Sequence, residues 1–225
     1  MSSDQHSGGP TTETTPASSS LYRAVSGAVG GLQRDLLHGG YEGERRARSA
    51  LSRLRRSVHA VPGQDPETWF WIAEDVLGNL PEPEWGRGDE PSYGEWAAHL
   101  ALALYAVHQQ SQRTEMHIPS VDLGQAVGQL RLATESRSIK HRLDALLTVS
   151  TQFGIEYHLR SLITLLASHR IPLDYGRLAQ DLKALRFAGG RQRVALRWGR
   201  SYATALRPRT RSASTSPDAS PQITH

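Results

Sequence analysis

KHRLDALLTVSTQFGIEYHLRSLITLL, residues 140–166, carries two apolar stripes in succession. Ile155, Leu159, Leu162, Ile163 and Leu166 recur at the three- and four-residue steps of one helical face, and Leu143, Leu146, Leu147 and Ser150 repeat that pattern upstream. The spacing predicts two amphipathic helices joined near residues 152–154. Arg142 and Arg160 each stand one residue from a core position, at the edge of a buried stripe. A guanidinium there packs its stem and keeps its head in solvent. Two roles fit that position: a rim arginine covering apolar surface, or one that contacts a ligand.

Working outward, the 225 residues suit one domain or two small ones, enough to bury a core. There is no cysteine, which excludes disulfides and thiolate zinc sites and is compatible with a reducing interior. No apolar run approaches the ~18–20 residues that span a bilayer. The first twenty residues lack the apolar stretch of a secretory signal. The expectation is a soluble cytoplasmic protein with no membrane contact.

Charge is unevenly placed. Of the 26 basic residues only Lys140 and Lys183 are lysine. Residues 65–95 hold nine acidic groups against Arg87, whereas residues 131–211 hold sixteen basic groups against five acidic. An excess of that size points to an anionic partner for the second half. Nucleic acid fits better than a membrane, because no helix pairs a basic face with a free, strongly apolar one.

Residues 1–20 and 207–225 are rich in Ser, Thr, Gly and Pro, and read as disordered tails. A first helix is expected over residues 20–38, weakened by Gly27, Gly30 and Gly31 and ended by Gly39–Gly40. Residues 43–58, GERRARSALSRLRRSV, put Ala47, Ala50, Leu51, Leu54 and Val58 on one face and crowd Arg45, Arg46, Arg48, Arg53, Arg55 and Arg56 around the rest. Opposite charges at i±4 are nearly absent, so these cations repel unless something neutralises them. A helix over residues 67–77 follows, with Trp69 and Trp71 read as core or lobe-interface residues, and then an exposed acidic loop over residues 81–91. Residues 92–112 read as the longest and most buried helix, opened by a capping box between Ser92 and Glu95. Within it His99 and His108 read as satisfied polar histidines rather than ligands to a shared metal.

Past Ile118–Pro119 a helix capped by Asp122 or Ser120 runs to about Ala133. After the 140–166 pair, Asp174 caps a helix carrying Leu178, Leu182 and Leu185. A last helix bears Val194, Trp198, Tyr202 and Leu206, with Arg193, Arg197 and Arg200 on adjacent faces. The fold class is therefore all-α: a two-lobed bundle of about eight helices, with lobes at residues 21–118 and 119–206.

No catalytic or metal-binding constellation stands out, and no cofactor is implied. Two alternatives remain. Arg53 and His59, in RLRRSVH, match the Arg-x4–6-His spacing of HEPN-like helical ribonucleases, where such a pair supplies a base and a phosphate clamp. A standalone helical DNA-binding regulator also fits a basic all-α chain, though no turn is followed by a strong recognition-helix pattern.

The strings ALSRLRRSV (50–58), ALALYAVHQQSQ (101–112), MHIPSVDLGQAV (116–127), HRLDALLTVS (141–150), YHLRSLITLL (157–166), IPLDYGRLAQDL (171–182) and VALRWGRSY (194–202) occur in one order. Together they resemble the CasB family, the small subunit of the type I-E CRISPR surveillance complex Cascade. The resemblance covers most of residues 45–205; the tails and residues 65–91 match poorly. It implies a two-lobed all-α protein without enzymatic activity. Such a subunit sits as a dimer against the large subunit and the guide-RNA backbone subunits. It holds the duplex of guide RNA and target DNA together with the displaced DNA strand, stabilising the R-loop. By motif position, Arg56, Arg142 and Arg160 fall where the family has basic residues lining its nucleic-acid groove, with Arg55 a weaker correspondence. With the remaining cations of the two basic regions, the candidate nucleic-acid-binding set is Arg45, Arg46, Arg55, Arg56, Arg137, Lys140, Arg142, Arg160, Arg193, Arg197 and Arg200.

Overall fold

The computed structural model describes residues 20–80 and 84–207. The expectations for the tails lie outside the described residues, except at Ser20 and Arg207, and so does the start of the acidic loop. Nine α-helices form among the described residues, one more than the approximate count from sequence: α1 Ser20–His38, α2 Gly40–Arg56, α3 Pro66–Asp75, α4 Tyr93–His108, α5 Leu123–Thr134, α6 Ser138–Thr148, α7 Gln152–Ser168, α8 Tyr175–Ala184 and α9 Gly190–Ala205. Short 3-10 turns at Ser57–His59 and Leu77–Asn79 follow α2 and α3. Among the described residues, extended structure is limited to one isolated parallel bridge, between His117 and Leu173.

Helix ends follow side-chain chemistry. Ser92 and Glu95 make the expected reciprocal capping box. Asp122, rather than Ser120, caps α5 by accepting from Gln125 N at 2.8 Å, and Asp174 caps α8 by accepting from Arg177 N at 3.0 Å. The joint inside residues 140–166 lies at residues 149–151, earlier than expected. The reason is Thr151, whose hydroxyl accepts from Gly154 N at 3.1 Å and starts α7 one turn sooner. α4 is the most buried helix, with Trp96 through Ala106 all buried, but α1, α2 and α7 are longer. It ends at His108 because Gln109 turns its side chain onto the following loop, donating to Thr114 O at 2.9 Å and accepting from Met116 N at 3.2 Å.

One apolar core runs from Leu21 on α1 to Tyr202 on α9. α4 is its axis, packed by α1, α2, α7 and α8. α5 and α9 form the most extensive helix pair, and α6 and α7 form a hairpin beside them. α8 departs from sequence order: it comes late in the chain yet lodges against α1 and α4. Trp69 and Trp71 pack half-buried on this core, whereas Phe70 between them is exposed. His108 is buried, and its Nδ1 meets Tyr175 OH at 2.8 Å.

Candidate nucleic-acid interface

α6, α7 and the turn after α2 meet around a cleft of about 510 Å³. α7 supplies Tyr157, Arg160, Ser161, Thr164 and Leu165, whose three- and four-residue spacing places them on its outer side. Ile155, Leu159, Leu162, Ile163 and Leu166 anchor the opposite side of α7 in the core. α6 adds Arg142, whose neighbour Leu143 is buried, and the 3-10 turn adds His59. Burying the adjacent leucine fixes each arginine's Cα, and the exposed head stays free to reach.

Two hydrogen bonds order the cleft. Arg142 Nη1 donates to Ser161 Oγ at 2.8 Å, tying α6 to α7. Arg160 donates to His59 Nε2, tying α7 to the turn. Neither guanidinium is bridged by a carboxylate among the described residues, so both carry their charge into solvent unneutralised. The acid nearest Arg160 in the sequence is Glu156. Burial raises its carboxyl pKa, against a hydrogen bond from the Trp96 indole at 3.3 Å and the attraction of His59.

The other candidates fall elsewhere. Arg55 and Arg56 close α2 just before the His59 turn, and Arg56 Nη1 donates to Ser52 Oγ at 3.0 Å. Burial, reinforced by the Arg56 charge, presses the Arg55 pKa below its usual value. Arg45 and Arg46 line a separate groove between α1 and α2, with Arg23, Arg53 and Asp35. Arg137, just before α6, is exposed, as are Arg193 and Arg200 on α9, and none of these three forms an ion pair among the described residues. Lys140 pairs with Asp144 at 2.7 Å. Arg197 points inward to the buried Asp181, which also accepts from Trp198 Nε1 at 2.6 Å and lies 3.4 Å from Arg177 Nε. Burial pushes the Asp181 carboxyl up to about 6 despite both guanidiniums.

The α2 charges need correction. Repulsion was expected to go largely unanswered, but Arg45 pairs with Glu42 at 2.9 Å, Arg48 with Glu44, and Arg53 with Glu67 at 2.8 Å. α2 starts at Gly40 rather than residue 43, which brings Glu42 onto the helix within reach of Arg45. Arg46, Arg55 and Arg56 remain without a carboxylate among the described residues. Arg53, the partner of His59 in the ribonuclease alternative, pairs with Glu67 and lines the α1–α2 groove, while His59 lines the cleft with Arg160. The spacing in RLRRSVH sets His59 against Arg53, whereas the fold sets it against Arg160. Tyr157 and Ser161 are absent from the sequence candidates, although both share the outer face of α7 with Arg160.

The family described as CRISPR-associated protein Cse2 matches residues 50–202. The structure is similar to that of CasB from Thermobifida fusca, at 31% identity and a TM-score of 0.67, covering 82% of this chain and 98% of that one. It also resembles a chain of a CRISPR RNA-guided surveillance complex, at 22% identity, TM-score 0.59 and coverage of 83% and 95%. A third similar structure is CasB from M. ruber, at 22% identity, TM-score 0.55 and coverage of 80% and 94%. No curated protein matches the sequence.

Proposed function

We propose, from the premise that this chain belongs to the CRISPR-associated Cse2 family, that it is the small subunit of a type I-E CRISPR Cascade complex. In this reading it has no catalytic role and works in the cytoplasm in antiviral defence. It holds the R-loop formed when guide RNA pairs with target DNA, touching the heteroduplex and the displaced strand. Its partners are the guide RNA, both DNA strands, the large subunit, the guide-RNA backbone subunits and a second copy of itself. The two lobes, residues 21–118 and 119–206, belong to the same proposal.

One observation carries it. Arg142 and Arg160, from different helices, open into one cleft with no carboxylate against either guanidinium among the described residues. Unneutralised arginines on a rigid scaffold are suited to phosphate, which they grip bidentately. Exchanging a DNA duplex for a guide–target heteroduplex is nearly balanced in free energy, so a few backbone contacts tip it. Such contacts position without reading sequence, which suits a subunit that leaves specificity to base pairing.

The test is R-loop formation by the reconstituted complex carrying Arg142→Ala or Arg160→Ala, at low and moderate salt. Each change is expected to weaken target binding by about tenfold at low salt and to lower the slope of log affinity against log salt by about 1. Unchanged affinity at both salts would reduce these arginines to structural roles and remove the reading.

A further inference from the structure

We propose that the cleft takes one unpaired base, stacked on the ring of Tyr157, with the flanking phosphates held by Arg142 and Arg160. The inference rests on the reading above and narrows this cleft's ligand from the R-loop as a whole to unpaired strand.

The first support is Tyr157 itself. It is 63% exposed, yet it lines the same cleft as both guanidiniums. An aromatic ring left in water offers a large, rigid face at little cost in conformational freedom. Phe153 stands four residues earlier and is 72% exposed. That spacing puts the two rings one turn apart on neighbouring positions of α7.

The second support is the composition of the cleft. A track meant for phosphate alone needs only charge. Here Leu165 lies two turns beyond Tyr157 and extends an apolar floor. Thr164 gives its hydroxyl to Arg160 O at 2.9 Å, which directs its polar atom to the helix backbone. A flat apolar floor with a cationic rim is the chemistry of a nucleotide: the floor takes the base face and the rim takes the phosphates. The volume, about 510 Å³, lies inside the ~300–1,000 Å³ range of pockets for ligands of that size.

The third support concerns pairing. A base inside a duplex has both faces covered by its neighbours and shows only edges in the grooves. An exposed ring beside phosphate-binding groups therefore selects an unstacked strand. Stacking tolerates any base, so the contact adds affinity without sequence preference.

The experiment titrates the full-length chain at low salt with a fluorescent oligothymidylate, and with an abasic oligonucleotide of equal length and charge. The unchanged protein is expected to bind the base-bearing strand about tenfold more tightly. Tyr157→Ala should erase that preference while leaving the abasic affinity and the salt slope alone, and Tyr157→Phe should restore it. Arg142→Ala should weaken both ligands together. Melting followed by circular dichroism checks that each variant is folded. Equal binding of the two ligands by the unchanged protein, with Arg142→Ala still weakening both, would overturn stacking and leave the phosphate reading standing. Arg142→Ala without effect on either ligand would overturn both.

Discussion

Asp181 shows how much one side chain decides here. It is 1% exposed and takes Arg197, Arg177 and the Trp198 indole together, pinning α9 to α8. Removing one partner of a buried charge network strands the others, at a cost of about 3–5 kcal/mol when the remaining charge is fully buried. Arg197 and Arg177 keep some solvent access, so Asp181→Ala is expected to cost about 2–4 kcal/mol, read as a fall in denaturant midpoint at constant slope. A loss under 1 kcal/mol would mean that the network is balanced by desolvation. Nothing local in the sequence marked this role. Asp181 and Arg197 are sixteen residues apart on different helices, and Arg197 read as one more surface cation. Arg142 and Arg160 were legible for the opposite reason: each adjoins a residue that must be buried, so its place at the edge of a stripe followed from helical periodicity alone.

At the scale of elements, α5 and α9 approach each other through glycine. A Cβ on Gly124 would sit 2.2 Å from Trp198 O, and one on Gly128 would sit 2.7 Å from the Ala205 Cβ. The backbone of α9 cannot yield without moving Trp198 and Tyr202, both buried. Gly124→Ala gains helix propensity of about 1 kcal/mol yet is expected to destabilise by about 1–3 kcal/mol net. For a domain of this size that corresponds to a melting temperature lower by several degrees, about 2–4 °C per kcal/mol. A higher melting temperature would refute the close approach. Caps and apolar stripes were readable in sequence because they act within one turn, as at Ser92, Asp122 and Asp174. The alliance of α6, α7 and the His59 turn was not, because it depends on how separate helices cross. His59 and Arg160 are 101 residues apart. The resemblance carried the arginines to their helices, and only the fold disclosed Tyr157 and His59 in the same cleft.

For the whole molecule, acid is the natural stress. His99 and His108 are buried, and burial lowers each to about 4, with small opposing pulls from Asp65 and from Ile171 O. His117 is lowered as well, again chiefly by burial. Each histidine is ordinarily near 6.5, so the unfolded chain takes up protons first on acidification. The stability they contribute is whole above pH 6.5 and drains away as the pH falls toward 4. At pH 5 the loss is about 2 kcal/mol for each of His99 and His108. Asp181 runs the other way: its raised pKa lets the folded protein gain a proton below about 6, returning about 1 kcal/mol. Thermal melts at pH 7.5 and pH 5 should thus differ by roughly 5–10 °C, and His99→Leu should shrink the difference. Melts that superimpose would show that the imidazoles stay charged in the fold.

The out-of-order seat of α8 has a consequence for biosynthesis. Tyr22 OH donates to Asp174 Oδ2 at 3.1 Å, and Gly176 lets α8 press onto the α1 backbone where a Cβ would meet Tyr22 O at 2.8 Å. As the ribosome delivers the chain, α1 and α4 emerge with apolar flanks that α8 covers in the finished fold. Those flanks must wait: even from the end of α4 at His108, about seventy further residues precede α8 at Tyr175, several seconds of elongation at typical rates. A nascent chain in that interval is a natural client for chaperones.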